Sequence, residues 1–294
     1  MAMPKDIGVI DTMLSIPSND RGKWYDFMKS QLLDKESREM FEFPVEYMFK
    51  DVPETKRGDR FDDYVAYTLS EMDKYGIAKA LVGVTLENED LCRALKENPD
   101  RFIGSYQVNP NTGMEGVRDL RRAVKELNVK AATSFPAGCL PQVPIADRRM
   151  YPLYAACVDL DIPIFVCAGV PGPRLPMACQ HVEQIDEVCY FFPELRFVTR
   201  HGCEPWTELI VKLMLKYPNL YYSTSAFAPR YYPGEVIDYA NSRGGDRLIY
   251  AGYFPMGLSL ERIFAELEKL PLKDEVWPGF LRDNAARVLK LDQA

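Results

Sequence analysis

One of the two histidines in this 294-residue sequence, His201, comes just after an apolar stretch (196–199) that is typical of a buried strand. A turn containing Cys203 and Glu204 then leads into an amphipathic stretch beginning near Pro205, which predicts a helix. An imidazole pKa of about 6.5 allows proton uptake or release near neutral pH. We therefore expect His201 to be either a reaction centre or a residue left over from one.

The elements that must position His201 follow a regular alternation of short apolar runs and stretches with helical spacing. Apolar strands without polar alternation are typical of a parallel sheet that is covered on both faces. The pattern predicts the α/β class: a single (β/α)8 TIM barrel over residues 1–294 with a C-terminal helix near 283–289. A doubly wound open sheet is the competing fold, but no Gly-x-Gly-x-x-Gly follows the first strand. Eight strands are predicted, at 7–14, 78–84, 102–106, 129–133, 164–167, 196–199, 220–223 and 248–251.

The connection after the first strand, residues 15–60, is long for a link between a strand and a helix. Such insertions are usually lids, binding loops or oligomer contacts, so a lid or a dimer contact is predicted; the alternative is that the segment only packs onto the barrel. Its large apolar residues are Trp24, Tyr25, Phe27, Met28, Phe41, Phe43, Tyr47, Met48 and Phe49.

Composition and charge exclude several classes of partner. A net charge of −7 argues against nucleic acid or an anionic membrane surface as the main partner. No apolar run is long enough for a signal peptide or a spanning helix, which predicts a soluble, cytoplasmic protein. Seven scattered cysteines without a C-x-x-C spacing are consistent with reduced thiols.

In a barrel of this kind the active site lies at the C-terminal ends of the strands. The polar and reactive residues expected there are Met13, Ser15, Ser134, Cys167, His201, Cys203, Glu204, Ser223 to Ser225 and Tyr253. The set contains one base, two thiols, one acid and several hydroxyl groups.

Several stretches, in order and spacing, carry a resemblance to a known family. They are Val9-Ile10-Asp11-Thr12, the 151–167 helix and strand with its Asp161-Ile162-Pro163 entry, Val198 to Gly202, Pro218-Asn219-Leu220-Tyr221, and the 283–289 ending. Together they resemble the amidohydrolase superfamily, in the branch of aminocarboxymuconate-semialdehyde decarboxylase, aromatic-acid decarboxylases and lactone hydrolases. The resemblance implies a barrel enzyme that forms a homodimer and, in most relatives, holds a metal ion.

This sequence departs from the family at the metal ligands. The Asp-x-His-x-His motif of the first strand has Met13 and Ser15 at its histidine positions, the strand-five histidine falls on Cys167, and the strand-eight aspartate falls on Tyr253. A catalytic zinc needs about three good ligands, so we predict no metal and no other cofactor. A metal site with rearranged ligands is the alternative.

The resemblance implies an acid or base role for His201, and three further residues are candidate catalytic groups. Cys167 is a nucleophile if His201 stabilises its thiolate, or otherwise a buried cysteine. Tyr253 is either a proton donor or an aromatic ring that fills the vacated metal pocket. Glu204 either orients His201 or caps the following helix.

Six residues are predicted to bind substrate. Arg200 is suited to a carboxylate, and aromatic residues near the barrel mouth suit an apolar or aromatic small molecule. Asp11 either lines the base of the pocket or bonds to nearby backbone. The full set is Met13, Ser15, Asp11, Arg200, Trp206 and Phe254.

These residues favour a metal-independent hydrolase or lyase, similar to the decarboxylases, that cleaves an acyl or C–C bond in a hydrophobic, carboxylated small molecule. His201 is its predicted acid/base. The alternative is a catalytically inactive barrel that binds a small molecule or a partner protein.

Overall fold

The computed structural model describes residues 3–17, 26–35, 37–38 and 61–291. The strands of this part form one parallel sheet in the order β1 to β8. Their bounds are β1 Val9–Asp11, β2 Ile77–Val84, β3 Phe102–Gln107, β4 Val129–Ser134, β5 Ile164–Cys167, β6 Phe197–Arg200, β7 Leu220–Ser223 and β8 Leu248–Ile249.

Helices connect the strands on the outside of the sheet. In the same ranges they are α1 Asp26–Lys29, α2 Phe61–Lys74, α3 Glu89–Glu97, α4 Met114–Glu126, α5 Tyr151–Asp159, α6 Gln184–Phe191, α7 Thr207–Lys216, α8 Gly234–Ala240, α9 Leu260–Leu267 and α10 Asn284–Leu289. Ser259 caps α9, accepting a hydrogen bond from the Arg262 N–H at 3.2 Å.

The sheet closes between the segments that follow β8 and β1. The Thr12 N–H donates to the Tyr250 carbonyl at 3.2 Å, and the Tyr253 N–H donates to the Met13 carbonyl at 2.9 Å. The predicted (β/α)8 TIM barrel is confirmed, and the open doubly wound alternative is wrong.

Two predicted strands are shorter than expected. β1 covers three residues instead of the predicted 7–14, because Gly8 has a φ of +72° and residues after Asp11 turn to meet the β8 segment. β8 ends at Ile249 rather than at Ala251 for the same reason, since Tyr250 to Phe254 bond to the segment after β1.

The barrel interior has an apolar lower layer to which every strand contributes one residue. The terminal helix α10 covers this layer from below with Ala285, Val288 and Leu289. The inner residues are Ile10, Leu81, Ile103, Ala131, Phe165, Val198, Tyr221 and Ile249. Since side chains in a strand alternate, the residues two positions later also face inward and form the floor of the barrel mouth.

The predicted insertion is described only at 26–35 and 37–38 beyond its first residues. There it lies against the loops after β4 and β5: Met28 and Leu32 pack with Ala137 and Leu175, and Asp34 pairs with Arg174 at 2.6 Å. The Phe27 ring meets the Phe135 ring edge-on, with centroids 6.3 Å apart. The other aromatic residues of the insertion, including Trp24 and Tyr25, lie outside the described residues, so the lid or dimer role stays a prediction.

No helix in the described ranges is both long and apolar enough to cross a membrane. All seven cysteines are unpaired, as the scattered spacing predicts.

Candidate active site

Above the apolar lower layer, the inward positions of the strands become mostly polar. Within the strands they are Gly83, Ser105, Thr133, Cys167, Arg200 and Ser223, and Thr12 and Ala251 take the corresponding places just after β1 and β8. Gly83 is exposed, and a Cβ built on it would meet no atom within 4 Å. Among the described residues, none covers β2 at this point of the barrel mouth.

Arg200, the last residue of β6, places its guanidinium group in this polar layer. The residue is only 5% exposed. Its Nη1 donates to the Thr133 hydroxyl at 2.7 Å and its Nη2 donates to the Thr12 carbonyl at 3.3 Å. Its guanidinium carbon lies 5.2 Å from the centre of the Phe165 ring. Its hydrogen-bond partners in the described ranges are neutral, while the Asp11 carboxyl group interacts with the cation electrostatically without forming an ion pair.

The charge of Arg200 is incompletely compensated. Its Nε has no hydrogen-bond partner, and within the described part of the chain no carboxylate forms an ion pair with it. Burial lowers the pKa of Arg200, but an arginine remains charged. The barrel mouth therefore contains a fixed positive charge with spare hydrogen-bond capacity.

His201 follows Arg200 in a left-handed conformation, with φ +66°. Because this conformation is not extended, the direction of the His201 side chain does not follow the inward–outward alternation of β6. His201 is partly exposed as a whole residue, but its ring is packed: Nδ1 lies 3.2 Å from the Ser225 hydroxyl, and the ring meets the Tyr253 ring edge-on with centroids 5.3 Å apart.

Residues of and after β7 hold the turn that carries His201. The Tyr222 hydroxyl donates to the Gly202 carbonyl at 2.9 Å, and the Ser223 hydroxyl donates to the Thr199 carbonyl at 2.8 Å. Gly202 has a φ of +81°, and a Cβ there would lie 2.6 Å from the Phe227 ring. Only glycine fits this position without a shift of its neighbours.

Burial and the adjacent Arg200 cation lower the pKa of His201 to about 3. Both causes disfavour the imidazolium form. His201 is therefore neutral at physiological pH in the absence of a bound anion, rather than half-protonated near pH 6.5 as its unperturbed value predicts.

Tyr253 also adopts a left-handed conformation, with φ +68°. Strained residues of this kind concentrate at functional sites, and Cys203 and Ala226, after β6 and β7, share the property with His201 and Tyr253. The ring contact between Tyr253 and His201 brings together two of the four predicted catalytic residues.

Asp11 bonds to nearby backbone through one of its two carboxyl oxygens. Its Oδ1 accepts hydrogen bonds from the Met13 and Gly252 N–H groups, both at 2.9 Å, which joins the segments after β1 and β8. Burial raises the pKa of Asp11 to about 7, although these bonds and Arg200 act in the opposite direction. The carboxyl group is thus a link across the barrel closure.

The two thiols near the site are protonated. Burial raises the pKa of Cys167 to about 12, and it raises that of Cys203 to about 12 as well. A nucleophilic cysteine needs a lowered pKa, so the structure favours the buried-cysteine interpretation of Cys167.

Glu204 does not cap α7, because that helix begins after Trp206 without a side-chain cap. Burial raises the pKa of Glu204, and the recorded partners of the His201 ring are Ser225 and Tyr253 instead. In the described part of the molecule, no hydrogen bond between Glu204 and the His201 ring supports the predicted orienting role.

The remaining predicted substrate-binding residues lie in three different places. Met13 and Ser15 lie at the barrel closure, where the Ser15 N–H donates to the Phe254 carbonyl at 2.9 Å. Phe254 is 4% exposed and its ring packs against Tyr67 of α2, so it faces the outer core rather than the mouth. Trp206 packs against His181, with ring centroids 4.0 Å apart.

The donor groups present do not fit the metal ion that the family resemblance implies. Methionine is a weak ligand, and the Cys167 thiol is held in its protonated form. The Arg200 cation lies in the same layer. Within the described ranges, no cluster of three or more His, Cys, Asp or Glu residues is arranged to hold a metal.

Sequence reasoning missed the roles of Ser225, Thr133 and Thr12. In the sequence, Ser225 was only one of several hydroxyl residues after β7. The Thr133 hydroxyl and the Thr12 carbonyl both accept hydrogen bonds from Arg200. A strict count of strand alternation could have found Thr133, since it is two residues after the inward Ala131.

Comparison with known proteins gives relatives of the same architecture. An uncharacterized TIM-barrel protein from Bordetella bronchiseptica has a TM-score of 0.74 at 24% identity, covering 96% of this chain and 98% of that one. A 5-carboxyvanillate decarboxylase from Novosphingobium aromaticivorans, complexed with manganese and 4-hydroxy-3-methoxy-5-nitrobenzoic acid, has a TM-score of 0.66 at 16% identity, covering 99% and 98%.

A curated sequence relative is the 2-keto-4-carboxy-3-hexenedioate hydratase of a Sphingobium species, which is 26% identical. The matched stretch spans 39% of this chain and 39% of that enzyme. The family model described as Amidohydrolase matches residues 43–291. Because this match covers most of the chain, the protein belongs to the amidohydrolase family.

Proposed function

We propose that this protein is a metal-independent lyase that removes a carboxyl group from a small, apolar or aromatic carboxylic acid. His201 is the proposed acid/base, beside Tyr253, and Arg200 is the proposed anchor for a carboxylate. The homodimeric state and the cytoplasmic location expected from the sequence stay predictions.

The observation that carries this proposal is the buried, incompletely bonded guanidinium of Arg200 in the polar layer at the C-terminal ends of the strands. A buried charge without a partner costs several kcal/mol, and a bound carboxylate would offset that cost through charge-assisted hydrogen bonds. The Ser105 hydroxyl, at another inward position, is also buried without a partner. The Arg200 guanidinium and the Ser105 hydroxyl are thus two hydrogen-bond donors in the polar layer that are suited to a carboxylate.

The remaining residues suit the reaction. In a decarboxylation the bond between a carbon and its carboxylate breaks, CO2 leaves, the bonding electrons stay on the carbon, and a proton takes the place of CO2. The imidazole of His201, next to the anchoring cation, is the proposed route by which this proton passes from solvent to the carbon. Arg200 can also stabilise negative charge that develops on a nearby oxygen.

The names of the relatives support this substrate class. One decarboxylates 5-carboxyvanillate, and the other hydrates 2-keto-4-carboxy-3-hexenedioate. Both substrates are carboxylated. Hydration of a carbon–carbon double bond is the second candidate reaction, because the curated sequence match is to a hydratase.

An assay on the purified chain tests the proposal with aromatic carboxylic acids and unsaturated tricarboxylic acids. CO2 release reports decarboxylation, and loss of conjugated ultraviolet absorbance reports hydration. We expect Arg200→Met to weaken carboxylate binding by about 10- to 100-fold, and His201→Gln to lower kcat by about 100- to 10,000-fold.

His181→Gln and Arg121→Met are matched controls, since His181 packs on Trp206 and Arg121 pairs with Asp159 on the outer helices; both should retain activity. Unchanged carboxylate affinity in Arg200→Met would contradict the anchor. Turnover that requires an added divalent metal would contradict the metal-independent mechanism. Carboxylate binding without turnover of any compound would favour an inactive binding protein.

A further inference from the structure

The Ser225 hydroxyl makes two contacts with His201. Its Oγ lies 3.0 Å from the His201 backbone nitrogen, which donates to it, and 3.2 Å from the imidazole Nδ1. Ser225 is fully buried, at 0% exposure. No solvent therefore competes for its single hydroxyl hydrogen.

The bonding at Ser225 determines where the imidazole proton sits. A serine hydroxyl has one hydrogen to donate and can accept hydrogen bonds through its lone pairs. The backbone N–H of His201 is a donor to this oxygen and cannot accept the hydroxyl hydrogen. Of the two contacts that Ser225 Oγ makes with His201, only Nδ1 can accept it.

We infer that Ser225 is a positioning residue that fixes His201 as a neutral imidazole with its proton on Nε2. The inference rests on the proposed function for its catalytic meaning, but the tautomer itself is independent of any substrate. The ring edge that carries Nδ1 faces Ser225, so the Nε2–H edge points away from β7. His201 then offers a hydrogen-bond donor, and not a base, to a ligand in the mouth.

The charges around the ring support the same state. Arg200, the preceding residue, opposes a second proton on the imidazole, and burial acts in the same direction. The Tyr253 ring contacts the imidazole edge-on. The nearest titratable acid on the closing segments, Asp11, bonds to the backbone of Met13 and Gly252 instead of to the ring.

This tautomer narrows the acid/base role proposed for His201. The Nε2–H group and the Arg200 guanidinium are both donors, so together they suit an oxygen that gains negative charge during the reaction. Removal of a proton from substrate by Nε2 would first require the imidazole to exchange its tautomer and Ser225 to rotate its hydroxyl. The donor role needs neither change.

Nitrogen-15 NMR of protein labelled at histidine tests this inference directly, because the chain has only two histidines. A His181→Gln variant assigns the His201 signals. From about pH 6 to about pH 8, we expect the His201 signals to show a protonated Nε2, an unprotonated Nδ1 and no titration. A protonated Nδ1, or an imidazolium above pH 6, would overturn the inference.

Two substitutions test the part played by Ser225. Ser225→Ala removes the donor to Nδ1, so we expect the Nδ1-protonated tautomer to become populated, while Ser225→Thr keeps the hydroxyl and should preserve the original tautomer. An unchanged tautomer in Ser225→Ala would assign the effect to another group and overturn the inference. The wild-type spectrum keeps the tautomer testable if a variant does not fold, and none of these measurements depends on whether a substrate is turned over.

Discussion

Single residues at the barrel mouth are kept in forms that are unfavourable for folding. Arg200 is charged and 5% exposed, with no ion-pair partner among the residues described. Hydrophobic residues of similar volume often stabilise a protein relative to buried charges. The proposed binding of a carboxylate at Arg200 would account for a cation that stability alone does not favour at this position.

Asp11 and His201 give opposite dependences of stability on pH. The pKa of Asp11 rises to about 7 in the folded state because of burial. Between about pH 4 and 7 the folded state then holds a proton that the unfolded state has released, so the free energy of unfolding falls as the pH rises. The pKa of His201 falls to about 3, so between about pH 3 and 6.5 its contribution to the free energy of unfolding rises with pH.

Asp11→Asn isolates the first effect. The amide oxygen can still accept hydrogen bonds from Met13 and Gly252, but the group no longer titrates. Relative to the wild type, we expect the variant to gain about 2 to 4 kcal/mol of unfolding free energy between pH 4.5 and pH 8. Urea unfolding at a series of pH values measures this difference.

The control for this experiment is Asp161→Asn. Arg196 and Lys290 lower the pKa of the exposed Asp161 carboxyl group, so removing it should act in the opposite direction, with a smaller effect because the pair is exposed. If the difference in unfolding free energy between Asp11→Asn and the wild type does not change with pH, the pKa of Asp11 is not raised towards neutrality.

At the scale of elements, the segments that follow the strands position the site. The segments after β1 and β8 meet at the barrel closure, where the Gly252 N–H donates to Asp11. A Cβ on Gly252 would lie 2.6 Å from the Asp11 Oδ2 and 2.6 Å from the Tyr250 hydroxyl. The closure therefore has no room for a methyl group.

We expect Gly252→Ala to lower the free energy of unfolding by about 1 to 3 kcal/mol, the usual cost of overpacking. Gly83→Ala is the matched control, because its methyl group would enter open space on β2; its effect should stay within about 0.5 kcal/mol, as for an exposed site. Thermal or urea unfolding of both variants gives the comparison. Equal losses in the two would contradict tight packing at the closure.

Much of this element arrangement could be predicted from the sequence, for a physical reason. Strands buried on both faces must be apolar throughout, so runs such as 164–167 and 220–223 are visible in the linear pattern. The ends of β1 and β8 could not be predicted in the same way, because hydrogen bonds between segments about 240 residues apart decide them, as in the 238-residue separation of Thr12 and Tyr250.

The candidate site was predictable in its location but less so in its contacts. The strand ends placed Arg200, His201 and Tyr253 at one face of the barrel. Whether a side chain points inward depends on the strand phase, and a shift of one residue reverses it. The positive φ of His201 breaks that phase, so its contact with Ser225 follows from the folded backbone and not from the residue spacing.

Along the barrel axis, the apolar packing layer lies at one end and the candidate site at the other. Below, helix α10 seals the apolar layer with Ala285, Val288 and Leu289, and the Arg196 Nε donates to the Val288 carbonyl at 2.9 Å. Above lies the polar layer with Arg200, where Gly83 is exposed among the described residues. This division is the usual one in barrels of this type, and it allows charges at the mouth to be unfavourable without unfolding the protein.

The charge at the mouth predicts how the whole molecule responds to divalent metals. A metal that binds only the folded state at 100 times its Kd adds about 2.7 kcal/mol to the free energy of unfolding, which raises Tm by several degrees. The guanidinium of Arg200 and the protonated thiol of Cys167 disfavour such binding. We therefore expect Mn2+, Zn2+ and a chelator each to leave Tm unchanged within about 1 °C.

Thermal unfolding of the purified protein, after dialysis against the chelator and with each metal added back, gives this measurement. A substrate-like carboxylate is the positive control, because binding at Arg200 should raise Tm, and Arg200→Met should remove that rise. If Tm instead rises with Mn2+ or Zn2+ and the chelator reverses the rise, the protein holds a metal despite its substituted ligand positions. The guanidinium would then be a neighbour of the metal and not its replacement.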